Sequence, residues 1–483
     1  MKKTMKFVGV FSLALMPLLI TGCSNFKSAV ALRASAQLPE TPTEFVLPNS
    51  AQQQQPVIEW WAQFNDAQLN GLVKQSLMHN RTIHIAQASL AESRAYVRTS
   101  KLDFYPTVDS NLSATRQRQS GDISGTTNAR ISESYQTGFD ASWELDVFGR
   151  VRNGVRLSRA QEAARHADLQ AAQLSVGAEV AAAYISLRGY QYLLAVAEQN
   201  AHNQLESLQL AQRFADVGRG DQLDVARAQA QLELTRATVP SISAQVNTAL
   251  NRLSVLTGSA TPALKTSLAQ AQPLPNLPAS FAVGAPRDML QRRPDIRRAE
   301  QALIAATADY NIRVADLYPS ISFSGGLGYL SSDWTRLGDA NTDTFLFAPK
   351  IHWAAFNLGR VNAQIAAADA RTQVRIAEFE QQVLIALEEA DNSLQNFTRE
   401  EQRRAGLQLA AKASHQAADI ARKKFELGSS DFLSVLNAER AQLDISAQLA
   451  QSDMQVLLNL VAIYKALGGG WELAAQEQVS ARN

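Results

Sequence analysis

The feature that most constrains the fold is an internal repeat of the chain. Three unlike motifs occur twice, in the same order and at nearly the same spacing. Asp103–Val108 returns as Asp316–Ile321, and the tripeptide Gly-Arg-Val at 149–151 returns at 359–361. The third motif comprises Gly218, Asp221, Leu223, Val225 and Ala228, which return as Gly428, Asp431, Leu433, Val435 and Ala438. Because chance rarely repeats three motifs collinearly, the chain is internally duplicated and both halves should share one local structure.

The first 22 residues read as a lipoprotein signal peptide. Lysines at positions 2, 3 and 6 precede the apolar stretch Phe7–Ile20, which is typical of an export signal and too short for an ordinary membrane span. The stretch ends in Ile-Thr-Gly-Cys, which resembles a bacterial lipobox, and Cys23 is the single cysteine. We therefore expect a covalent lipid on Cys23 that anchors the chain to one leaflet. The alternative is an ordinary secretory signal followed by a chance cysteine.

Within each half, the hydrophobic period changes from helix to strand and back. Residues 69–103 follow helical spacing until Tyr105-Pro106, where the residue before proline leaves the α region. Alternating apolar and polar residues then predict β-hairpins at 107–147 and 320–356, and helical spacing resumes at 150–257 and 359–467. The predicted organisation is a signal peptide (1–22), an N-terminal anchor and extended segment (23–68), a first repeat (69–283), a second repeat (284–470) and a C-terminal tail (471–483).

Each half contains a helical pattern of about 65 residues, which corresponds to a length on the order of 100 Å. Such a helix cannot bury its apolar face within a small domain and needs parallel neighbours. The chain lacks a sustained leucine heptad, which weakens the alternative of a plain coiled-coil rod. Its formal net charge of +1 argues against a nucleic-acid partner.

Four strands per chain are too few to close a membrane barrel. Exported strands of roughly 10 to 14 residues with one apolar face have the pattern of an outer-membrane barrel. Open sheet edges cannot face hydrocarbon, and closure needs about eight strands. The predicted fold class is therefore mainly α with a transmembrane β-barrel of 12 strands shared by three subunits and continued by a long periplasmic α-helical barrel. The alternative is a soluble hairpin packed on the helices, which leaves Phe139, Trp143, Phe347 and Trp353 without cover.

A series of motifs runs through the mature chain. They are Trp60-Trp61 with Phe64, Asp66, Leu69 and Asn80, the two Tyr-Pro joints, Phe148-Gly149-Arg150, Arg213-Phe214, Lys424-Phe425 and the segment Ala466–Gly470. Together they resemble the outer-membrane factor (TolC-like) family, and within it the OprM/NodT-type outer-membrane efflux lipoproteins. The resemblance implies a homotrimer that docks to a periplasmic adaptor protein fed by an inner-membrane pump. It also implies that Ser24, directly after the cysteine, favours sorting to the outer membrane of a Gram-negative bacterium.

By this resemblance the chain is a passive exit duct for small molecules such as drugs. Two alternatives are a type I protein-secretion duct and a non-channel surface lipoprotein built on a helical rod. The residues support no catalysis, because the six histidines show no metal-ligand spacing. The Gly-rich segment 325–328 lies in a strand pattern and not at a strand-to-helix turn. We expect no enzyme activity, no metal and no cofactor other than the lipid on Cys23.

Two glycines that interrupt the long helices mark the candidate functional site. Gly218 and Gly428 can adopt backbone conformations that let a helix reverse and another chain approach. The resemblance assigns these turns to adaptor contact and to a periplasmic aperture, where three subunits would turn each acid into a ring of like charge. The candidate aperture residues are Asp221, Asp224, Asp431 and Asn437. The family has acids six and nine residues after the second glycine, where this chain has Ser434 and Asn437, so a second-half acidic gate is in doubt.

Overall fold

The computed structural model describes residues 26–36, 42, 44–48, 50–54, 57–119 and 130–469. The predicted signal peptide 1–22, the expected lipidation site Cys23 and the predicted tail 471–483 lie outside the described residues. Within the described ranges, no helix is both long enough and apolar enough to cross a membrane.

Long helices and one set of long strands account for most of the described chain. The helices are α1 (Ala29–Ser35), α2 (Ala67–His79), α3 (Arg81–Leu102), α4 (Arg150–Asp216), α5 (Gln222–Thr257), α6 (Thr261–Leu268), α7 (Pro286–Arg292), α8 (Pro294–Ala315), α9 (Leu358–Glu426) and α10 (Phe432–Ala466). The strands are β1 (Ala51–Gln52), β2 (Thr107–Gln119), β3 (Arg130–Leu145), β4 (Phe281–Ala282), β5 (Ser320–Ser331) and β6 (Asp343–His352). With 67 and 69 residues, α4 and α9 are each about 100 Å long.

The four long strands form one antiparallel sheet in the order β2-β3-β5-β6. Each repeat contributes one hairpin, and β3 pairs with β5 to join the two repeats. The expected four strands are therefore confirmed, although β3 and β6 end at Leu145 and His352, short of the predicted ends at 147 and 356. Apolar side chains on this sheet are exposed in the single chain, as for Phe345 (82%) and Phe347 (70%).

The single helix predicted over 69–103 is interrupted at Asn80. Its backbone is extended there, with ψ 131, and its side-chain Oδ1 accepts the N–H of Thr82 at 2.8 Å as α3 begins. The side-chain amide donates to the carbonyl oxygen of Leu256 in the last turn of α5, also at 2.8 Å. The apolar period continues across this break through Leu77 and Ile83, which is why spacing alone predicts one helix.

Arg293 makes the equivalent link in the second repeat. Its Nη1 donates to the carbonyl oxygen of Ala466 in the last turn of α10 at 2.9 Å, and its Nη2 lies 2.6 Å from carboxylate oxygens of both Asp295 and Glu389. Burial disfavours the charged forms of Arg293 and Asp295, but the hydrogen bonds and the electrostatic attraction between charged neighbours outweigh this effect. They raise the pKa of Arg293 and lower the pKa of Asp295. The last turn of α5 is therefore held by the neutral amide of Asn80, and the equivalent last turn of α10 is held by the charged group of Arg293.

The chain divides into two compact units, and each takes segments from both repeats. The first unit comprises Met1–Gln37, Ser89–His166 and Arg298–Gln381, and the second comprises Leu38–Ala88, Ala167–Arg297 and Gln382–Asn483. The consecutive division predicted at 69–283 and 284–470 describes the sequence repeat. The compact units differ from it because equivalent segments of the two repeats pack together.

In the first unit, a tryptophan ties each hairpin to the end of the preceding helix. The indole Nε1 of Trp143 donates to the carbonyl oxygen of Phe104 at 3.0 Å, and that of Trp353 to the carbonyl oxygen of Leu317 at 2.9 Å. Both carbonyls lie just beyond a helix end, where backbone groups lack helical partners. The duplicated bonds fix the direction in which each strand leaves its helix.

In the second unit, the motif aromatics near the start of the chain form core. Trp60, Trp61 and Phe64 are buried, and Trp60 stacks on Tyr464 of α10 with ring centroids 5.0 Å apart. Arg188 of α4 is also fully buried and donates to the side-chain oxygen of Gln191 and to the carbonyl oxygen of Gln270. These contacts give the N-terminal motifs a structural role, because they fix the long helices to shorter segments.

Candidate functional site

Two helix–turn–helix connections in the second unit, one from each repeat, form the candidate site. The first joins α4 to α5, and the second joins α9 to α10. Each contains a glycine in the left-handed region, with φ 73 at Gly218 and φ 72 at Gly428. Only glycine adopts this conformation without a steric cost from Cβ. The repeated glycines therefore mark the two turns correctly.

Equivalent hydrogen bonds close both turns. The N–H of Arg219 donates to the carbonyl oxygen of Phe214, and the N–H of Ser429 donates to that of Lys424, each at 2.9 Å. The glycine N–H groups donate three residues back, to Ala215 and to Phe425. This pairing is a Schellman motif, which satisfies the last carbonyls of a helix where the chain reverses.

The two turns share one apolar core. Phe425 lies between the others, with ring centroids 4.9 Å from Phe214 and 5.3 Å from Phe432. The buried members of the cluster are Leu208, Ala211, Ala228, Leu232, Phe425, Phe432 and Val435. Because side chains from both connections contribute, a displacement of one turn requires repacking against the other.

A buried polar link crosses the same core. Glu439 of α10 is 7% exposed, and its Oε1 accepts hydrogen bonds from Ser207 Oγ of α4 at 2.7 Å and from Arg422 Nη2 of α9 at 2.8 Å. Arg422 Nη1 also lies 3.6 Å from Glu206 of α4. Burial opposes the charge of Arg422, but the hydrogen bond and attraction from Glu439 dominate and raise its pKa. Three long helices are thus joined by one ionic network.

The predicted aperture acids lie at the starts of the returning helices. Asp221 accepts the N–H of Leu223 at 3.1 Å, and Asp431 accepts the N–H of Ser434 at 2.9 Å, so both cap helices. Hydrogen bonds from the hydroxyl and N–H of Ser434 lower the pKa of Asp431. Asp224 lies 3.5 Å from Arg227. Asn437 is exposed on α10, so all four candidates stand within the first two turns after a reversal.

The structure adds residues that sequence reasoning missed. Arg219 lies against the second turn, since a Cβ on Gly428 would stand 3.3 Å from its Nη2. Val217 and Leu427, each directly before a turn glycine, are 68% and 82% exposed. The duplicated position of these two apolar residues was a usable signal, whereas the Arg422–Glu439 link has no signal in local spacing.

The chemistry of this site is that of a binding surface. Its exposed apolar residues and capping carboxylates can contact a protein or pass a solute, but they present no nucleophile beside a base. Across the part of the chain that the structure describes, no three or more His, Cys, Asp or Glu side chains are grouped so as to hold a metal ion.

Long helices joined in pairs by tight turns, together with a four-stranded antiparallel sheet that exposes apolar side chains, are the features of an outer-membrane channel subunit. The chain belongs to the outer membrane efflux protein family, whose model matches residues 72–259 and 285–469. It is accordingly an outer-membrane efflux channel subunit and not an enzyme.

Similar proteins cover nearly the whole chain. The antibiotic efflux pump outer membrane protein ArpC of Pseudomonas putida is 31% identical over 96% of both chains. The toluene efflux pump outer membrane protein TtgC, also of Pseudomonas putida, shows the same identity and coverage. The solved structure of the outer-membrane channel OprN superposes with a TM-score of 0.83 at 37% identity, covering 90% of this chain and 100% of that one.

Proposed function

We propose that three copies of the chain assemble into a 12-stranded barrel through which solutes leave the cell. The open four-stranded sheet carries this proposal. Its edge strands β2 and β6 have no outer partner among the described strands, and several of its apolar side chains, including Phe139, Phe345 and Phe347, are exposed in the single chain. Sheet edges in hydrocarbon must be paired, and pairing β6 of one copy with β2 of the next satisfies both.

Purified protein should run as a heat-modifiable trimer and open a pore in a planar bilayer. Each copy supplies too few strands for closure, so conductance should appear only in fractions that contain the trimer. Gel mobility before and after boiling, together with single-channel recording, tests both points. A monomer that conducts would contradict the shared barrel. A trimer that never conducts would favour a surface lipoprotein with a helical rod.

The paired turns at Gly218 and Gly428 are proposed to form the periplasmic aperture and the contact surface for an adaptor protein. Exposed Val217 and Leu427 offer apolar contacts, and the left-handed glycines leave the backbone open to a partner. An inner-membrane pump would load the duct through that adaptor. The names of ArpC and TtgC support small organic molecules, such as drugs and apolar solvents, as the cargo.

Neutralising two turn acids should raise the conductance of the proposed aperture. Asp224 and Asp431 would each form a ring of three like charges on the channel axis, which restricts anions and organises cations. Asp224→Asn with Asp431→Asn is expected to raise single-channel conductance and lower cation selectivity. Asp444→Asn, an acid farther along α10, provides a control for removal of charge. Unchanged conductance and selectivity would remove both acids from the constriction.

We further propose a covalent lipid on Cys23 as an auxiliary anchor. The supporting observations are the lipobox-like sequence and the single cysteine. Because strands provide the membrane span, a Cys23→Ser chain exported by a different signal peptide should still form channels. Mass spectrometry of the N-terminal peptide and bilayer recording of both proteins test this expectation. Loss of conductance in correctly exported Cys23→Ser protein would make the lipid essential for assembly.

A further inference from the structure

We propose that α8 and α9 form a docking groove for the first residues of the mature chain, and that charge restricts docking to the second repeat. The groove, defined by Tyr310, Asn311 and Val314 of α8 and Ile365 and Asp369 of α9, holds the N-terminal segment Phe26–Lys27 in the first unit. Its consequence for a lipid rests on the proposed anchor at Cys23, but docking itself does not.

Two hydrogen bonds between the backbone of Lys27 and the side chain of Asn311 fix the position of Lys27 in this groove. Its N–H donates to the side-chain oxygen of Asn311 at 2.9 Å, and the side-chain amide of Asn311 donates to the Lys27 carbonyl oxygen at 2.9 Å. This reciprocal pair satisfies one donor and one acceptor of an otherwise irregular segment. A single asparagine thus sets the register of the N-terminal segment.

The side chains of the segment match the groove in polarity. The Lys27 ammonium pairs with the carboxylate of Asp369 and lies 4.7 Å from the centroid of the Tyr310 ring. Phe26 packs against the apolar cluster of Tyr310, Val314 and Ala368. A little farther along, Arg33 pairs with Glu300 of α8. Cationic, aromatic and apolar contacts together distinguish this segment from an arbitrary extended peptide.

The equivalent positions of the first repeat carry the opposite charge. Asp369 lies ten residues after Gly359, and the residue ten after Gly149 is Arg159. Tyr310-Asn311 precedes the Tyr-Pro joint of the second repeat as Val97-Arg98 precedes that of the first. Arg98 and Arg159 are both exposed, so their positive charges would repel Lys27, whereas Asp369 in the groove of α8 and α9 attracts it.

Docking at this place limits where a lipid on Cys23 can enter the membrane. Lys27 is four positions after Cys23 in the sequence, so even a fully extended chain keeps the cysteine within roughly 14 Å of Lys27. Asn311 stands nine residues before Ser320, the first residue of β5. The groove therefore keeps the lipid beside the helix-to-strand joint, where the proposed barrel meets the periplasmic leaflet.

Site-specific photo-crosslinking in the full-length membrane protein tests the proposal. With p-benzoylphenylalanine in place of Phe26, adducts should fall in residues 310–317 and 365–369, in bands of monomer mass on a denaturing gel. The equivalent residues 97–104 and 155–159 should give none above background. The same probe in place of Val30, which is 79% exposed, provides the matched control. Equal adducts in both repeats, or none in the second, would overturn the proposal.

Charge reversal tests the basis of the selection. Lys27→Glu should lower the adduct yield in the second repeat about tenfold, because a charge-assisted hydrogen bond is worth roughly that factor. Lys27→Glu with Asp369→Lys should restore the yield. An unchanged yield in the single variant, or no recovery in the double variant, would show that charge does not select the groove.

The lipid is measured separately, from the mass of the N-terminal peptide in the same samples. Adducts in the second repeat with an unmodified Cys23 would uphold docking and reject the anchor. A lipidated Cys23 without those adducts would uphold the anchor and reject docking.

Discussion

Replacing Gly428 with tryptophan is expected to abolish export while the trimer still assembles. Gly428 has φ 72, which a residue with a Cβ adopts only under strain, and its Cβ would stand 3.3 Å from Arg219. The bulky ring would also cover the surface proposed to contact the adaptor. Since the turn lies far along the sequence from the strands, assembly of the sheet should not change. Resistance to exported compounds should fall to the level of a strain without the protein, whereas the heat-modifiable trimer should persist.

Two further variants separate the turn from general effects of bulk. Gly406→Trp adds the same ring to α9 at a position where the new Cβ has no atom within 4 Å apart from its own stretch of helix, and it should retain export. Gly428→Asn should be intermediate, because asparagine tolerates the left-handed region better than other residues. If Gly428→Trp cells keep full resistance, the second turn does not take part in adaptor contact.

The regular elements of the fold could be predicted because their signals are local. Alternation in β3 and β5, the Tyr-Pro joints and the glycines at 218 and 428 each act within a few residues, and the repeat supplied an independent check. The break at Asn80 escaped prediction because its cause, the carbonyl oxygen of Leu256, lies far along the sequence. The short segments around β1 and β4 also have too few residues for a readable period.

The two turns were predictable in position, but the contacts between them were not. Both turns were predicted from their glycines, and their shared spacing suggested equivalent roles, whereas helix capping by Asp221 and Asp431 was found only in the structure. The link of Ser207, Arg422 and Glu439 joins three helices through side chains, and nothing around Glu439 in the sequence distinguishes it from an exposed helical acid. Its burial, with only 7% of the residue exposed, distinguishes Glu439 from an exposed helical acid, and burial depends on how the two repeats pack.

Gly328→Ala is expected to prevent formation of the barrel, although it adds only one methyl group. Gly328 faces Gly138 across β5 and β3, and a Cβ on Gly328 would stand 2.2 Å from the carbonyl oxygen of Thr137 and 2.7 Å from the Cα of Gly138. Both neighbours are backbone, so relief requires separation of β3 from β5, the pair through which the described strands join the two repeats. The heat-modifiable trimer and pore activity should both be lost.

Gly325→Ala supplies the matched control on the same strand. Its Cβ would meet no atom closer than the carbonyl oxygen of Leu346 at 3.4 Å, so trimer yield and conductance should remain close to those of the parent protein. Both variants lose the flexibility of glycine, but only Gly328→Ala brings a Cβ against the neighbouring backbone. A difference between them therefore measures the effect of that close approach alone. Equal trimer yields for the two alanine variants would show that β3 and β5 can separate without cost, and that their pairing does not determine closure of the barrel.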